Sequence, residues 1–321
     1  MEEFQTCGIS IFFALQNLSQ RETIESKYIN ASMQKVRTFL QLIRWPNLVM
    51  VVLIMGACYG FMLDPTKTTF RIPEFVLVMM VTVIIAASGY VINDYYDVQT
   101  DQINKPRQWI AGNTLSLSSI MWIYRYLVIA GGIVAAITAI WMGLLPYFLL
   151  YPLAIGGLWL YSFSLKCRPV VGNLWVSLFC GGVVLIVALP DVIRQQSIAL
   201  KPTLWYLAFF AFQTTWYREI VKDLEDQTGD KDAGCKTLPV RYGVLPAKIM
   251  AIVVALGLMA SLYGWDISGP GTYRLFIFTL LQGALVGSMG LVWWAKDPSY
   301  FRHASTLIKC MMLAGTVLML T

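Results

Sequence analysis

The composition of this chain of 321 residues excludes an ordinary soluble domain. Hydrophobic residues make up 57% of the sequence and charged residues 13%, and the mean hydropathy is +0.63. Soluble domains carry about 25% charged residues, so the composition predicts an integral membrane protein. The net charge of +6 on so apolar a chain favours anionic lipid headgroups or phosphate-bearing substrates as partners, and it disfavours nucleic acid.

The N-terminal part of the chain differs from the rest. Residues 1–31 mix acidic, polar and apolar stretches, and we expect a loosely ordered or interfacial segment there. The segment Ser32–Ile43 alternates basic and apolar residues, which is typical of a short helix on the membrane surface. We expect residues 32–321 to form one functional domain.

Uncharged apolar stretches long enough to cross a hydrocarbon core of about 30 Å recur along the chain. We therefore predict an all-α membrane protein, a bundle of nine transmembrane helices. The predicted spans are Trp45–Leu63, Phe75–Ile92, Ile120–Met142, Leu144–Leu165, Pro169–Pro190, Pro202–Tyr217, Ile249–Trp265, Leu275–Ala295 and Ala304–Thr321. Lysine and arginine concentrate before the first span and in the even-numbered loops, so the positive-inside rule places those segments in the cytoplasm.

An asparagine and three aspartates directly follow the second span. The three carboxylates are spaced at i, i+3 and i+7, which places them within about 60° of one helical face. These residues are Asn93, Asp94, Asp97 and Asp101. Pro106 lacks a backbone N–H, so we expect the helix to stop near Lys105.

A second acidic stretch with the same spacing follows the sixth span. Its aspartates are Asp223, Asp226 and Asp230, each 129 residues after its counterpart in the first stretch. The constant offset indicates a weak internal repeat of about four helices. Because both stretches follow even-numbered spans, they emerge on the same side of the membrane. We predict one shared site at the cytoplasmic face.

Other residues near the second stretch divide between two helical faces. Glu219 shares the face of Asp223, whereas Glu225 and Asp232 point away, and we exclude those two from the site. Gly229 predicts that the helix is fraying by Asp230.

Closely packed carboxylates repel one another, so we expect a chain with two such sets to use them on a cation. Mg²⁺ prefers oxygen ligands and is bound through one or two carboxylates together with substrate phosphates. Two facing metal-binding helices suit a diphosphate, whose remaining charge basic residues would neutralise. The basic candidates are Arg44, Lys105, Lys166 and Lys222.

If the organic part of this diphosphate is a polyprenyl chain, the apolar spans would accommodate it. Metal ions and basic residues stabilise the departing diphosphate, so the allylic C–O bond ionises and a lipophilic acceptor attacks the carbocation. Four tyrosines near span ends either face this cation or form an interfacial aromatic belt. They are Tyr90, Tyr95, Tyr96 and Tyr161.

Two other interpretations stay open at this point. A transporter binds coupling ions through membrane carboxylates, but usually near the bilayer midplane, whereas these carboxylates lie at span ends. The acidic stretches could also be solvated helix ends, although the duplicated spacing argues against this. The six cysteines are scattered without paired spacing, so we expect neither a disulfide framework nor a zinc site.

The stretch Asn93-Asp94-Tyr-Tyr-Asp97-Val-Gln-Thr-Asp101 resembles the N-D-x-x-D-x-x-x-D motif of the UbiA superfamily of intramembrane prenyltransferases. The second stretch is similar to the second aspartate motif of that family. The resemblance implies a UbiA-like fold, a prenyltransferase domain over residues 32–321, and a Mg²⁺–diphosphate site on both stretches. It also implies substrate-binding roles for four further residues, of which Asn47 could instead simply cap a helix. These are Arg44, Asn47, Tyr161 and Lys166.

Within the superfamily, three stretches look most like digeranylgeranylglyceryl phosphate synthases. They are Ile103-Asn-Lys-Pro106, Arg218-Glu-Ile-Val-Lys-Asp223 and the run from Gly229 to Pro239. This resemblance implies transfer of a geranylgeranyl group to the hydroxyl of a glycerol phosphate ether lipid. Family members usually continue the first motif with Arg-Pro-Ile and a glycine, whereas this chain has Arg107-Gln-Trp-Ile110-Ala-Gly112. An aromatic acceptor, as in quinone or chlorophyll pathways, therefore stays open.

Overall fold

The structure is a computed structural model that describes residues 32–62, 71–104, 109–194, 202–263 and 272–320. Regular secondary structure in these ranges is helical, apart from one isolated bridge between Ala111 and Leu115. The all-α prediction is confirmed for this part of the chain. The chain divides into two compact units, Met1–Trp45 and Pro46–Thr321.

The described residues form fifteen helices, two of which are extended by short π-helical segments. The helices are α1 Ser32–Leu42, α2 Trp45–Ala57, α3 Ile72–Tyr96, α4 Val98–Asn104, α5 Leu117–Met142, α6 Leu145–Phe148, α7 Leu150–Leu160, α8 Val171–Leu185, α9 Leu189–Ile193, α10 Pro202–Glu225, α11 Gln227–Asp232, α12 Leu238–Tyr242, α13 Val244–Tyr263, α14 Thr272–Trp293 and α15 Pro298–Leu320. The π-helical segments are Cys58–Met62 after α2 and Tyr161–Leu165 after α7.

Several of these helices are suited to a bilayer. By length and composition α3, α5, α13 and most of α14 are candidate spans, and a fifth candidate combines α1 with residues 45–60. The segment Leu150–Leu165 and α8 are shorter apolar helices. These helices agree with the predicted membrane protein, whereas the number of nine spans stays a prediction.

Helix α3 carries charged groups at both of its ends. At its start the guanidinium of Arg194 donates two hydrogen bonds to the Glu74 carboxylate, at 3.0 and 3.3 Å, and a third to the Met142 carbonyl at 3.1 Å. At the other end lie Asn93 and Asp94. A helix of 25 residues is about 38 Å long, enough to separate these two groups by a hydrocarbon core. The arrangement fits one charged cluster on each side of a membrane.

Two groups of packed helices surround the acidic stretches. One group consists of α3, α5 and α7, and in the other α10 packs against α8, α13 and α15. The pair α8 and α10 is closely packed at Gly181, where an added Cβ would lie 3.0 Å from the Ala208 carbonyl oxygen. Small residues of this kind let membrane helices approach closely. The second group also buries Tyr217, whose hydroxyl hydrogen-bonds Ser288 at 3.0 Å.

Both acidic stretches are interrupted at their middle aspartate. Helix α3 ends at Tyr96, and Asp97 has φ −85° and ψ 3° before α4 begins. Asp226 separates α10 from α11 with nearly the same angles, φ −90° and ψ 5°. This sparsely populated backbone region is often occupied by active-site residues. The prediction of one continuous helix through each stretch was therefore wrong at the middle aspartate.

The expected fraying of the second stretch at Gly229 was also wrong. Helix α11 continues through Gly229 to Asp232, and both Gly229 and Asp230 are buried. The interruption instead falls three residues earlier, at Asp226, and the short helix α11 that follows it packs against α4. The described part of α4 ends at Asn104, and Lys105 and Pro106 lie outside the described residues, so the expected stop near Lys105 stays a prediction.

Candidate active site

The end of α3 buries the first three polar residues of the first stretch. Asn93, Asp94 and Asp97 expose 9%, 9% and 8% of their surface. The Asn93 amide donates a hydrogen bond of 2.6 Å to Oδ2 of Asp97. This contact spans one helical turn and orients the Asp97 carboxylate at the interruption. A buried carboxylate needs a compensating positive charge or hydrogen bonds, and this one has both.

The positive charge comes from Lys166, which follows the π-helical segment after α7. Its ammonium group forms an ion pair with Oδ2 of Asp97. Burial opposes the charge on Lys166, but the negative potential of Asp97, and more weakly of Asp230 and Asp226, raises its pKa above the ordinary value. The ammonium therefore stays protonated. One lysine thus interacts with carboxylates of both acidic stretches.

Two neighbouring side chains orient the carboxylates of the second stretch. The amide of Asn173, on α8, donates a hydrogen bond of 2.9 Å to Oδ2 of Asp223. The hydroxyl of Thr237 donates one of 3.1 Å to Oδ2 of Asp230. Burial is the main cause that raises the pKa of Asp230 to about 6, while Lys166 acts in the opposite direction.

Asn104 connects the two stretches directly. Its amide nitrogen donates to the Asp226 carbonyl at 2.9 Å, and its amide oxygen accepts from the Gly229 N–H at 3.1 Å. A pair of hydrogen bonds therefore joins the end of α4 to the start of α11. The two distant acidic stretches therefore meet at this contact.

A disulfide lies next to the site and contradicts the expectation drawn from the scattered cysteines. Cys167 and Cys235 are bonded, with their Cα atoms 4.5 Å apart and a separation of 68 positions in sequence. Cys167 directly follows Lys166, and the Cys235 N–H donates to the Asp230 carbonyl at 2.8 Å. The bond joins the loop before α8 to the loop after α11. The spacing of the cysteines in the sequence did not indicate this pairing, because the two loops come together only in the folded chain.

The other predicted residues lie on several elements of the fold. Glu225 forms an ion pair of 2.9 Å with Arg302 on α15, in agreement with its exclusion from the site. Asp101 lies in the first turn of α4, and Lys222 precedes Asp223 on α10. Asn47 lies in the first turn of α2, and Tyr161 begins the π-helical segment after α7. Arg44 belongs to the separate unit of residues 1–45, and Lys105 lies outside the described residues.

The donor chemistry of the site fits a hard divalent cation. Carboxylate and amide oxygens are the ligands that Mg²⁺ prefers. Among the described residues, no three acidic, histidine or cysteine side chains are gathered into a ready-made metal cluster. This arrangement fits Mg²⁺, which keeps several waters and usually combines one or two carboxylates with phosphate oxygens of the substrate.

The fold and site together define an all-α membrane protein with paired aspartate stretches. The model of the UbiA prenyltransferase family matches residues 49–312. The chain belongs to the UbiA prenyltransferase family, and it is a prenyltransferase enzyme.

Two relatives of this chain are both named digeranylgeranylglyceryl phosphate synthase. The digeranylgeranylglyceryl phosphate synthase of Hyperthermus butylicus is 30% identical over 264 residues, which cover 79% of this chain and 83% of that protein. The protein of that name from Sulfolobus acidocaldarius is 35% identical over 232 residues, covering 70% and 76%. A UbiA homologue from Archaeoglobus fulgidus, solved with DMAPP and Mg²⁺, has the same fold, with a TM-score of 0.58 at 16% identity. That likeness covers 88% of this chain and 99% of the homologue.

Three residues of the site were missed by sequence reasoning. Asn173 is a polar residue in a predicted span, and intramembrane polar groups usually serve a function, so this signal was present. Asn104 follows the last aspartate of the first stretch by three residues, on the same helical face. Thr237 gave no signal, because its contact with Asp230 depends on the loop between α11 and α12.

Proposed function

We propose that this protein transfers a geranylgeranyl group from its diphosphate to the free hydroxyl of geranylgeranylglyceryl phosphate. The observation that carries the proposal is the direct contact of the two acidic stretches through Asn104, together with the ion pair of Lys166 and Asp97. Two further facts support it: relatives at 30% and 35% identity are named for this reaction product, and a structural neighbour binds a prenyl diphosphate with Mg²⁺. The enzyme's partners are then a polyprenyl diphosphate, a lipophilic acceptor and membrane lipids.

The aspartates of both stretches and Asn93 would bind Mg²⁺. The residues are Asn93, Asp94, Asp97 and Asp101 from the first stretch, and Asp223, Asp226 and Asp230 from the second. When bound, Mg²⁺ supplies Lewis-acid stabilisation of the negative charge that develops on the leaving diphosphate. Asn173 and Thr237 keep two of the carboxylates oriented by hydrogen bonds, so fewer conformations are lost when the metal binds.

The chain's own residues contribute charge, position and exclusion of water. Lys166 remains protonated and neutralises part of the diphosphate charge. The sequence assigns the same role to Lys222, Lys105 and Arg44. The allylic C–O bond breaks, and its electron pair leaves with the diphosphate oxygen. The acceptor hydroxyl oxygen then bonds to the carbocation carbon and releases its proton, so an ether forms. The apolar helices limit water, which would otherwise capture the cation.

The nine spans, the prenyltransferase domain over residues 32–321 and the cytoplasmic orientation of the site belong to the same proposal. The distribution of basic residues supports this orientation. The Cys167–Cys235 disulfide makes a test of this orientation important, because disulfides are rare in the cytoplasm outside hyperthermophiles. Reporter fusions after α4 and after α11 should both report the cytoplasmic side. A reporter signal from the opposite side at either position would refute the orientation.

Product identification tests the reaction itself. Purified protein in detergent would receive labelled geranylgeranyl diphosphate with a panel of glycerol phosphate ether lipids and aromatic acceptors, with and without Mg²⁺. The expected product is the doubly alkylated glycerol phosphate, formed only with Mg²⁺ and identified by mass. Transfer only to an aromatic acceptor would show that the acceptor is aromatic and not a glycerol phosphate lipid. Absence of any transfer and of diphosphate release would reject the proposal and favour a transporter.

A further inference from the structure

The contact between Asn104 and α11 uses both polar groups of one side-chain amide. The nitrogen donates to the Asp226 carbonyl and the oxygen accepts from the Gly229 N–H, at 2.9 and 3.1 Å. The two partners lie 122 and 125 residues away from Asn104 in sequence. The amide therefore fixes both the distance and the orientation between α4 and α11.

Helix α11 needs such a partner because its own cap does not supply one. The first N–H groups of a helix have no partner within the helix, and an aspartate at the N-cap position usually accepts from one of them. Asp226 occupies the N-cap position of α11, but its side chain makes no capping hydrogen bond. The Asn104 oxygen accepts from the Gly229 N–H, which lies in the first turn of α11. The carboxylate of Asp226 is therefore not used to cap its own helix.

Gly229 shows how close this contact is. An added Cβ there would lie 2.5 Å from the Asn104 amide nitrogen, and the atoms of that side chain are its nearest neighbours. Gly229 lies inside α11, where a glycine is a poor helix former. The absence of a side chain, which allows the close approach of Asn104, accounts for a glycine at this position.

We propose that Asn104 is a positioning residue, which caps α11 in place of Asp226 and fixes the separation of the two acidic stretches for metal binding. The proposal rests on the proposed Mg²⁺–diphosphate site. A diphosphate held between two metal-binding stretches requires a defined distance between them, so loss of the contact that fixes this distance should weaken metal binding. Asn104 itself touches no reacting atom.

The test compares Asn104→Ala, Gly229→Ala, the double variant and the control Asn113→Ala. Asn113 is an exposed asparagine that donates to the Trp109 carbonyl at 3.4 Å, away from α11. Two quantities are measured: the Mg²⁺ concentration for half-maximal prenyl transfer, and hydrogen exchange of the 226–232 peptide without metal. Calorimetric titration with Mg²⁺ and inorganic pyrophosphate gives metal binding independently of turnover.

We expect Asn104→Ala to raise the half-maximal Mg²⁺ concentration about 10-fold, which corresponds to about 1.4 kcal/mol. The rate at saturating Mg²⁺ should stay within a factor of about 3 of the original protein, and exchange at Gly229 should accelerate. Gly229→Ala should give a similar shift by itself. In the Asn104→Ala background it should add little, because the alanine there leaves room for the new Cβ.

Three outcomes would overturn the proposal. Faster exchange with an unchanged Mg²⁺ requirement would show a merely structural contact. Additive effects of the two substitutions would show that they act independently. An effect of Asn113→Ala as large as that of Asn104→Ala would show no specificity for this amide. Failure of the proposed function is distinguishable, since the original protein would then make no product while the exchange and calorimetric comparisons still decide the role of Asn104.

Discussion

Removal of the charge on Lys166 is the most direct test of the site's electrostatics. Lys166→Met keeps an unbranched side chain of similar size, removes the charge and leaves Asp97 with the 2.6 Å hydrogen bond from Asn93. Loss of one partner costs 3–5 kcal/mol in a buried ion pair and about 0–1 kcal/mol in an exposed one. Side-chain exposures of 26% for Lys166 and 10% for Asp97 place this pair between those limits. We therefore expect a loss of about 2 kcal/mol in the free energy of unfolding without metal.

The assay is thermal unfolding in detergent with EDTA and then with Mg²⁺. A loss of about 2 kcal/mol corresponds to a fall in Tm of about 3 °C for a chain of 321 residues. Because Mg²⁺ neutralises the same carboxylates, it should stabilise the variant more than the original protein. Prenyl transfer at saturating Mg²⁺ should still be strongly reduced, since the diphosphate loses a positive charge.

The matched control is Lys231→Met, which removes an exposed lysine from the same helix as Asp230. A variant at Lys166 with unchanged Tm in EDTA would refute the assignment of Lys166 as the compensating charge. An equal fall in Tm for the control would show that the effect comes from the change in net charge and not from loss of the Lys166–Asp97 ion pair.

Three further predictions concern single carboxylates and their partners. Asp94→Ala or Asp223→Ala should abolish transfer while membrane insertion, measured by fractionation, stays normal; Asp232→Ala should have much less effect, and equal damage there would contradict the assignment of faces. Asn173→Leu should reduce transfer about 10-fold, because a hydrogen bond to a charged group contributes about 1.5–3 kcal/mol; an unchanged rate would show that this contact does not orient Asp223. Since the pKa of Asp230 is raised to about 6, protons compete with Mg²⁺ below that pH, so the apparent Mg²⁺ affinity should fall with decreasing pH. Without metal, the free energy of unfolding should change with pH in the opposite direction. The folded state binds the Asp230 proton more tightly than the unfolded state, so the stability that this group contributes is lost as the pH rises through about 6. Asp230→Asn should remove both pH dependences.

The acidic stretches could be predicted from the sequence because charge and hydropathy are properties of neighbouring residues in the chain. Charge and hydropathy located both at the ends of apolar segments, and the spacing of 129 residues related them. The interruptions at Asp97 and Asp226 have no such local signal, because neither residue is a glycine or proline. The helices that follow them, α4 and α11, pack against each other, a tertiary contact that no local pattern shows.

The partners of the carboxylates were predicted incompletely for a related reason. Lys166 was predicted through its charge and its family resemblance, and the structure places it on Asp97. Asn104, Asn173 and Thr237 are uncharged, and a polar residue at a helix end has many uses in any protein. Only the arrangement of several helices shows which carboxylate or backbone group each of them contacts.

The Cys167–Cys235 bond has a consequence for how the molecule can be dissected. It encloses α8, α9, α10 and α11 in a covalent ring, so a single proteolytic cut inside the ring creates two new chain ends but releases no fragment. Such a nicked enzyme would migrate as one species on a non-reducing gel and as two after addition of a thiol. Its two acidic stretches would stay tethered through sulfur even after the peptide backbone between them had been broken.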